Sequence, residues 1–349
     1  MVFRFPTKLV PALLAVVLAA ACTEAPPPPA APPPPAPPSV ALSPKLIELA
    51  SAYRGYIGRT TGITPSFADG EGVARSLKAG ASYEPSQLLR GAMAYGAIVA
   101  LQDKAFVDGV RVYAKDATSR KQVAHEILRD PAYAIGLPGS ASAAGLVIAT
   151  IGGEGQKLYD GGKSIKQSAY DIQRQPWSKG EVSGRPERLS AAKSISQGAM
   201  TGDIAETARL QQASVGATPL GLAASTAAPP YTPTVVRSLA IAALAALGEA
   251  GDANVEQVLA LMQEQNIGMC MNMSKLNLYQ CLAVARPHYE DVFCLGQHAM
   301  MDTGRCMIKA AGLPEPYEPR FIPSAESIAK GMPTKKAPVR KKAPVKRKS

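Results

Sequence analysis

The sequence predicts an all-α chain, a multi-helix body packed closely through small side chains. Three observations carry that expectation. Apolar residues recur at three- and four-residue steps between capping residues from Ser43 onward, the periodicity of helices with one buried face. No segment alternates apolar and polar residues, and no two-residue hairpin signal appears. Alanine and glycine are abundant while aromatics make up only 5% of the chain, so helices must meet across short side chains.

The elements follow in order. Ser43-Pro44 supplies an N-cap and a first-turn proline for a helix from Lys45 to about Gly58, with Leu46, Ile47, Leu49, Ala50 and Tyr53 on one side. Asp69 caps a short helix through Leu77, and Glu84-Pro85-Ser86 starts another that runs to Gln102. Lys104 to Tyr113 and Ser119 to Leu128 give two more. Residues 141 to 174 form one long candidate, which Gly152-Gly153 and Gly161-Gly162 should either kink or open to a neighbouring backbone. Residues 175 to 185 are a polar break holding the only tryptophan, Trp177.

Helical patterning resumes from Pro186 to about Ala213. Residues 214–234, rich in Gly, Pro, Ser and Thr, are the best internal boundary, dividing a helical domain over 43–213 from a C-terminal helical region over 235–325. Two apolar helices, within residues 238–250 and 254–265, precede the cysteine-bearing part of that region.

The first 42 residues read differently. Arg4 and Lys8 precede an apolar run from Leu9 to Leu18 that ends in small residues, the layout of a signal peptide over residues 1–21 and too short to span a bilayer. Leu18-Ala19-Ala20-Ala21-Cys22 then resembles the lipobox of bacterial lipoproteins, although Leu18 stands four rather than three residues before the cysteine. The resemblance implies cleavage before Cys22 and lipid on its sulfur and amine, an anchor without a transmembrane helix. Thr23 rather than Asp follows, which in that family implies the outer membrane, facing the periplasm; cleavage at the alanines without lipidation would instead give a soluble periplasmic protein. Residues 22–42 continue as a Pro/Ala-rich linker. Polyproline II at ~3.1 Å per residue gives its 17 residues from Cys22 to Pro38 a reach of about 50 Å.

The net charge of +11 is concentrated at the other end. Residues 326–349 are expected to be a disordered basic tail, carrying Lys335, Lys336, Arg340, Lys341, Lys342, Lys346, Arg347 and Lys348 with no acid among them. Without these eight cations and Arg4 and Lys8, the rest carries only +1. The repeated KKAPV unit resembles the tails of histone-H1-like proteins, which would imply DNA. An exported protein meets no chromosome, so no nucleic acid is expected, and anionic lipid or cell-wall polymer is the expected contact.

Cys270, Cys281, Cys294 and Cys306 remain, and an even number in an exported protein predicts two disulfides. A faint echo between residues 270–281 and 294–306 favours local pairing, Cys270–Cys281 and Cys294–Cys306. The nested pairing, a disulfide-stabilised helical hairpin, stands close behind. Cysteines ten or more residues apart cannot bridge along one continuous helix, so local pairing requires helix breaks, for which Ser274 and Thr303-Gly304 are the candidates. A competing metal reading places His288, Asp291, Cys294 and His298 near one helical face as zinc ligands, without any CxxC or HxxxH pair. Met269, Met271, Met273, Met300, Met301 and Met307 suit a helical core better than copper handling.

No catalytic residue is assigned and no cofactor is expected. Ser190-Ala191-Ala192-Lys193 resembles the SxxK of penicillin-binding enzymes but has no SDN or KTG companion. Gly161-Gly162-Lys163-Ser164 ends like a P-loop without its leading glycine or preceding strand, and His125-Glu126 lacks a second histidine. Glu126, Glu154 and Glu206 are isolated general-acid candidates. The expectation is an outer-membrane-anchored lipoprotein that scaffolds or assembles with an envelope protein. The alternative is a cell-wall-modifying enzyme or a periplasmic module for a small ligand or metal.

Overall fold

The computed structural model describes residues 36–318. The signal segment 1–21, Cys22, most of the linker and the basic tail lie outside the described residues. Thirteen α-helices and no strand occur among the described residues, so the chain is all-α.

Side chains at the helix starts explain most of the boundaries. Ser43 caps α1 (Pro44–Thr61), its Oγ accepting from the Lys45 amide at 3.3 Å. Asp69 caps α2 (Gly70–Ala81) by accepting from the Gly72 amide at 2.7 Å. The Glu84 carboxylate takes the amides of Ser86 and Gln87, at 3.0 and 2.7 Å, to open α3 (Pro85–Ala100). Asp103 and Asp116 do the same for α4 (Lys104–Arg111) and α5 (Ala117–Arg129).

The long candidate is the continuous α6 (Ser140–Asp171). The patterned stretch after it is two helices, α7 (Arg185–Gln197) and α8 (Ile204–Ser214), because Asp203 caps a new start after Gly198 and Gly202 interrupt the run. Then come α9 (Pro233–Leu247), α10 (Val255–Leu261), α11 (Gln265–Val284), α12 (His288–Cys294) and α13 (Asp302–Ala310). A π-helical segment, Leu295–Met301, joins the last two.

Helix α9 is buried nearly all round, as its run of Ala, Leu and Ile dictates, and α3, α4, α5 and α6 pack about it. Helix α1 covers α3 on one side, and α12, the π-helical segment and α13 lie along α6. The α6 glycines leave the helix unbroken and admit a backbone. A Cβ on Gly162 would lie 2.7 Å from the Met301 amide and 2.8 Å from the Gly296 carbonyl, and one on Gly155 would lie 3.0 Å from the Gly304 carbonyl. Gly296 and Gly304 return the arrangement against α6, with Cβ positions 2.8 and 2.7 Å from the carbonyls of Gly162 and Gly155.

Residues 215–232 form an irregular strap over the body. Ala227 donates its amide to the Ala141 carbonyl at 3.0 Å, Leu220 donates to Gln102 Oε1 at 3.1 Å, and the helices before and after the strap share one core. The end of the linker is also seated: Ala41 donates to the Ala245 carbonyl at 3.0 Å, Ser43 to Ala250 at 2.8 Å, and Leu42 is buried. No described helix is long and apolar enough to cross a membrane.

Candidate functional site

The cysteine region is a three-sided bracket built on α11. Cys270 bonds Cys306 of α13 and Cys281 bonds Cys294 of α12, each with Cα atoms 5.7 Å apart. This nested pairing overturns the favoured local one. Helix α11 runs unbroken from Gln265 to Val284, so Cys270 and Cys281 are separated by about 16 Å of rise and cannot meet. The supposed breakers sit inside helices as buried hydroxyls instead. Ser274 Oγ donates to the His298 carbonyl at 2.7 Å, lies 2.8 Å from Thr303 Oγ1, and both hydroxyls face Tyr83 Oη at 3.3 and 2.9 Å. Burial pushes the Tyr83 phenol up to about 12.

Beside this triad lies Lys275, the only charge on α11 and a buried one. Its Nζ donates to the Ala81 carbonyl at 2.8 Å and sits 3.3 Å from the centroid of the Tyr83 ring. Ser196 Oγ donates to the same carbonyl at 2.8 Å, so two side chains close the C-terminus of α2. Burial drives the Lys275 amine well below its ordinary value, with Glu84 opposing. Nothing in the local sequence distinguishes Lys275 from a solvated lysine; only its place in the α11 register against Leu278 and Ser274 hints at burial.

The four metal candidates do not form a ligand set. Cys294 is spent in its disulfide. Asp291 is buried against the Arg188 guanidinium, which also donates to the Leu282 carbonyl and so fastens α7 to α11 and α12. The His288 ring lies tilted beside Trp177, with ring centroids 6.1 Å apart, and His298 Nδ1 pairs with Asp302 Oδ2 at 2.8 Å. No group of three or more His, Cys, Asp or Glu side chains able to hold a metal occurs among the described residues. Of the methionines, Met271, Met300, Met301 and Met307 are core, while Met269 and Met273 are 66% and 49% exposed.

Two of the glutamates named from the sequence come together. Glu154 on α6 is buried, accepts from Tyr53 Oη at 2.5 Å and pairs with Arg54, which also reaches Glu206 of α8 at 3.3 Å. Burial raises the Glu154 carboxyl against the pull of Arg54 and Tyr53. Glu206, held in addition by Arg209 at 2.9 Å, is lowered despite its partial burial. The arrangement braces α1, α6 and α8. Glu126 pairs with Arg129 at 2.6 Å on the surface of α5, and Ser190 and Lys193 are both exposed on α7. Gly161 to Ser164 are interior turns of α6.

What remains unpartnered is the outer side of α11. Met269, Asn272, Met273, Leu276 and Gln280 are exposed at helical steps of three and four, with no ionic side chain among them. The two disulfides tie the helix that carries this uncharged stripe to α13 and α12. No protein-family model, curated protein or solved structure matches the chain.

Proposed function

We propose that the protein is an exported envelope lipoprotein, carried by lipid on Cys22, whose helical body serves as a scaffold or assembly module at the outer membrane. The observation that supports this reading best is the division of the cysteines. All four in the body are consumed in two disulfides, as an oxidising compartment favours, which leaves Cys22 alone behind an apolar N-terminal run. The uncharged Met/Leu stripe on α11 is the face offered to an envelope protein. Interface centres are depleted of charge and enriched in methionine, and this stripe has both properties. The basic residues from Lys335 to Lys348 would hold the module against anionic lipid or wall polymer.

The test combines fractionation with site-specific crosslinking in intact cells. Cys22→Ala is expected to move the protein from the membrane to the soluble periplasmic fraction. A photo-crosslinker at Met273 is expected to trap one membrane protein that a crosslinker at exposed Lys121 does not. Unchanged membrane association of Cys22→Ala refutes the anchor, and identical crosslinking patterns at the two positions refute the docking face.

A further inference from the structure

A cleft lies away from the disulfide bracket, between α1, α3 and α10, with a volume of about 610 Å³. That size falls in the range that holds a small molecule. Its chemistry is unusual for this protein in one respect. Arg90 of α3 lines the cleft half-buried, and it has no hydrogen-bond or ion-pair partner among the described residues. Every other arginine of the described residues that is not exposed has a carboxylate or carbonyl partner. Arg54, Arg120, Arg188, Arg209 and Arg305 meet carboxylates, and Arg111, Arg185 and Arg237 meet backbone carbonyls. A half-buried guanidinium that no protein group engages leaves its planar fork of donors open to an anionic group entering the cleft.

The other charges in the cleft narrow what that acceptor is. Lys45 and Glu256 neutralise each other across it at 2.9 Å, tying α1 to α10. Glu48 of α1 is exposed at the rim and, like Arg90, has no partner among the described residues. The cleft therefore carries two charges of each sign, with one cation and one anion uncommitted. A polyanion would gain Arg90 and meet the repulsion of Glu48 and Glu256. A molecule carrying both a carboxylate and an ammonium matches both open positions. Between them the walls are aliphatic, from Leu49, Leu259 and Met200, and the Met200 amide is pinned by Gln87 Oε1 at 2.8 Å. Gln263 adds an amide able to pair with a peptide bond.

We propose that this cleft binds a small aliphatic zwitterion, an amino acid or short peptide, with its carboxylate in the fork of Arg90 and its ammonium at Glu48. The site is independent of the α11 stripe and of the anchor. Arg90 supplies the planar two-point recognition of a carboxylate that lysine lacks, and Glu48 sets the preference for a free amine.

Equilibrium dialysis of the full-length protein against radiolabelled dialanine tests the proposal. One saturable site per chain is expected, and the absence of saturation up to about 10 mM overturns it. Arg90→Gln is expected to weaken binding at least tenfold, with Arg90→Lys recovering part of the loss. Glu48→Gln is expected to weaken dialanine but not N-acetyl-dialanine. Because Glu48 is exposed, that variant keeps the test valid if Arg90→Gln alters the fold, which its circular dichroism melt would reveal. Dialanine binding that is unchanged in both variants overturns the proposal. Competition by inorganic phosphate equal to that by dialanine would also overturn it, by making the cleft a simple anion site.

Discussion

Asp302 shows how a single side chain fastens the end of this fold. Its carboxylate accepts from His298 Nδ1 at 2.8 Å, Gln297 Nε2 at 3.0 Å and Arg305 Nη1 at 3.2 Å, and Arg305 continues to Glu318 at 2.7 Å. Partial burial pushes Asp302 upward, but the hydrogen bond and charge of His298, with Gln297 and Arg305, hold it below the ordinary carboxylate value. A depressed carboxyl stabilises the fold above its unfolded pKa, near 3.9, and that contribution is lost as pH falls through the lower folded value. Asp302→Asn should therefore lower stability by about 1–3 kcal/mol at pH 7. The difference should vanish at pH values below the folded pKa, as paired melting curves across the acid range would show. The sequence placed His298 in a metal set, where the i,i+4 spacing to Asp302 was the better guide. It left Lys275 and Arg188 unremarked, since burial of a cation is decided by the neighbours that fold onto it.

Helix α6 carries the argument at the next scale. Its glycines face two ways. Gly155 and Gly162 meet the backbone of the α12–α13 stretch, whereas Gly153 has no atom within 4 Å of where a Cβ would stand. Gly162→Ala should therefore force two backbones apart and cost about 1–3 kcal/mol, despite the better helix propensity of alanine. Gly153→Ala should gain up to about 1 kcal/mol from that propensity alone. Thermal denaturation of the two variants side by side checks the opposite signs, and equal effects would contradict the packing described. The starts of the first three helices were legible residue by residue, because Ser43, Asp69 and Glu84 act on amides two or three positions away. The break between α7 and α8 was missed, since the apolar pattern persists across Gly198 and Gly202. The π-helical turn at Leu295–Met301 was missed as well, for no short-range pattern encodes one.

At the scale of the whole molecule, the two disulfides close nested loops of 36 and 13 residues around α11. Chain-entropy arguments assign about 4 kcal/mol to a loop of the larger size and about 3 kcal/mol to the smaller. Replacing Cys270 and Cys306 together by serine should cost more than replacing Cys281 and Cys294. Removing all four should cost more than the sum of the two, because in each two-cysteine variant the remaining loop still constrains part of the chain that the lost one closed. Guanidinium midpoints of the three variants would measure this, and a larger loss from the inner pair would show that local packing outweighs loop closure.

The sequence alone determined the helical class, the caps that start the first three helices, the presence of two body disulfides and the net charge concentrated at its ends. All of these depend on composition or on residues within a turn of one another. The tertiary structure decided which cysteines pair, and it gathered Glu154, Arg54 and Glu206 into one brace while scattering His288, Asp291, Cys294 and His298. It also left Arg90 without an acceptor in a cleft. The physical reason is common to all three. Each depends on how rigid helices of fixed rise are laid against one another, and distances set by packing between helices leave no trace in the spacing along any one of them.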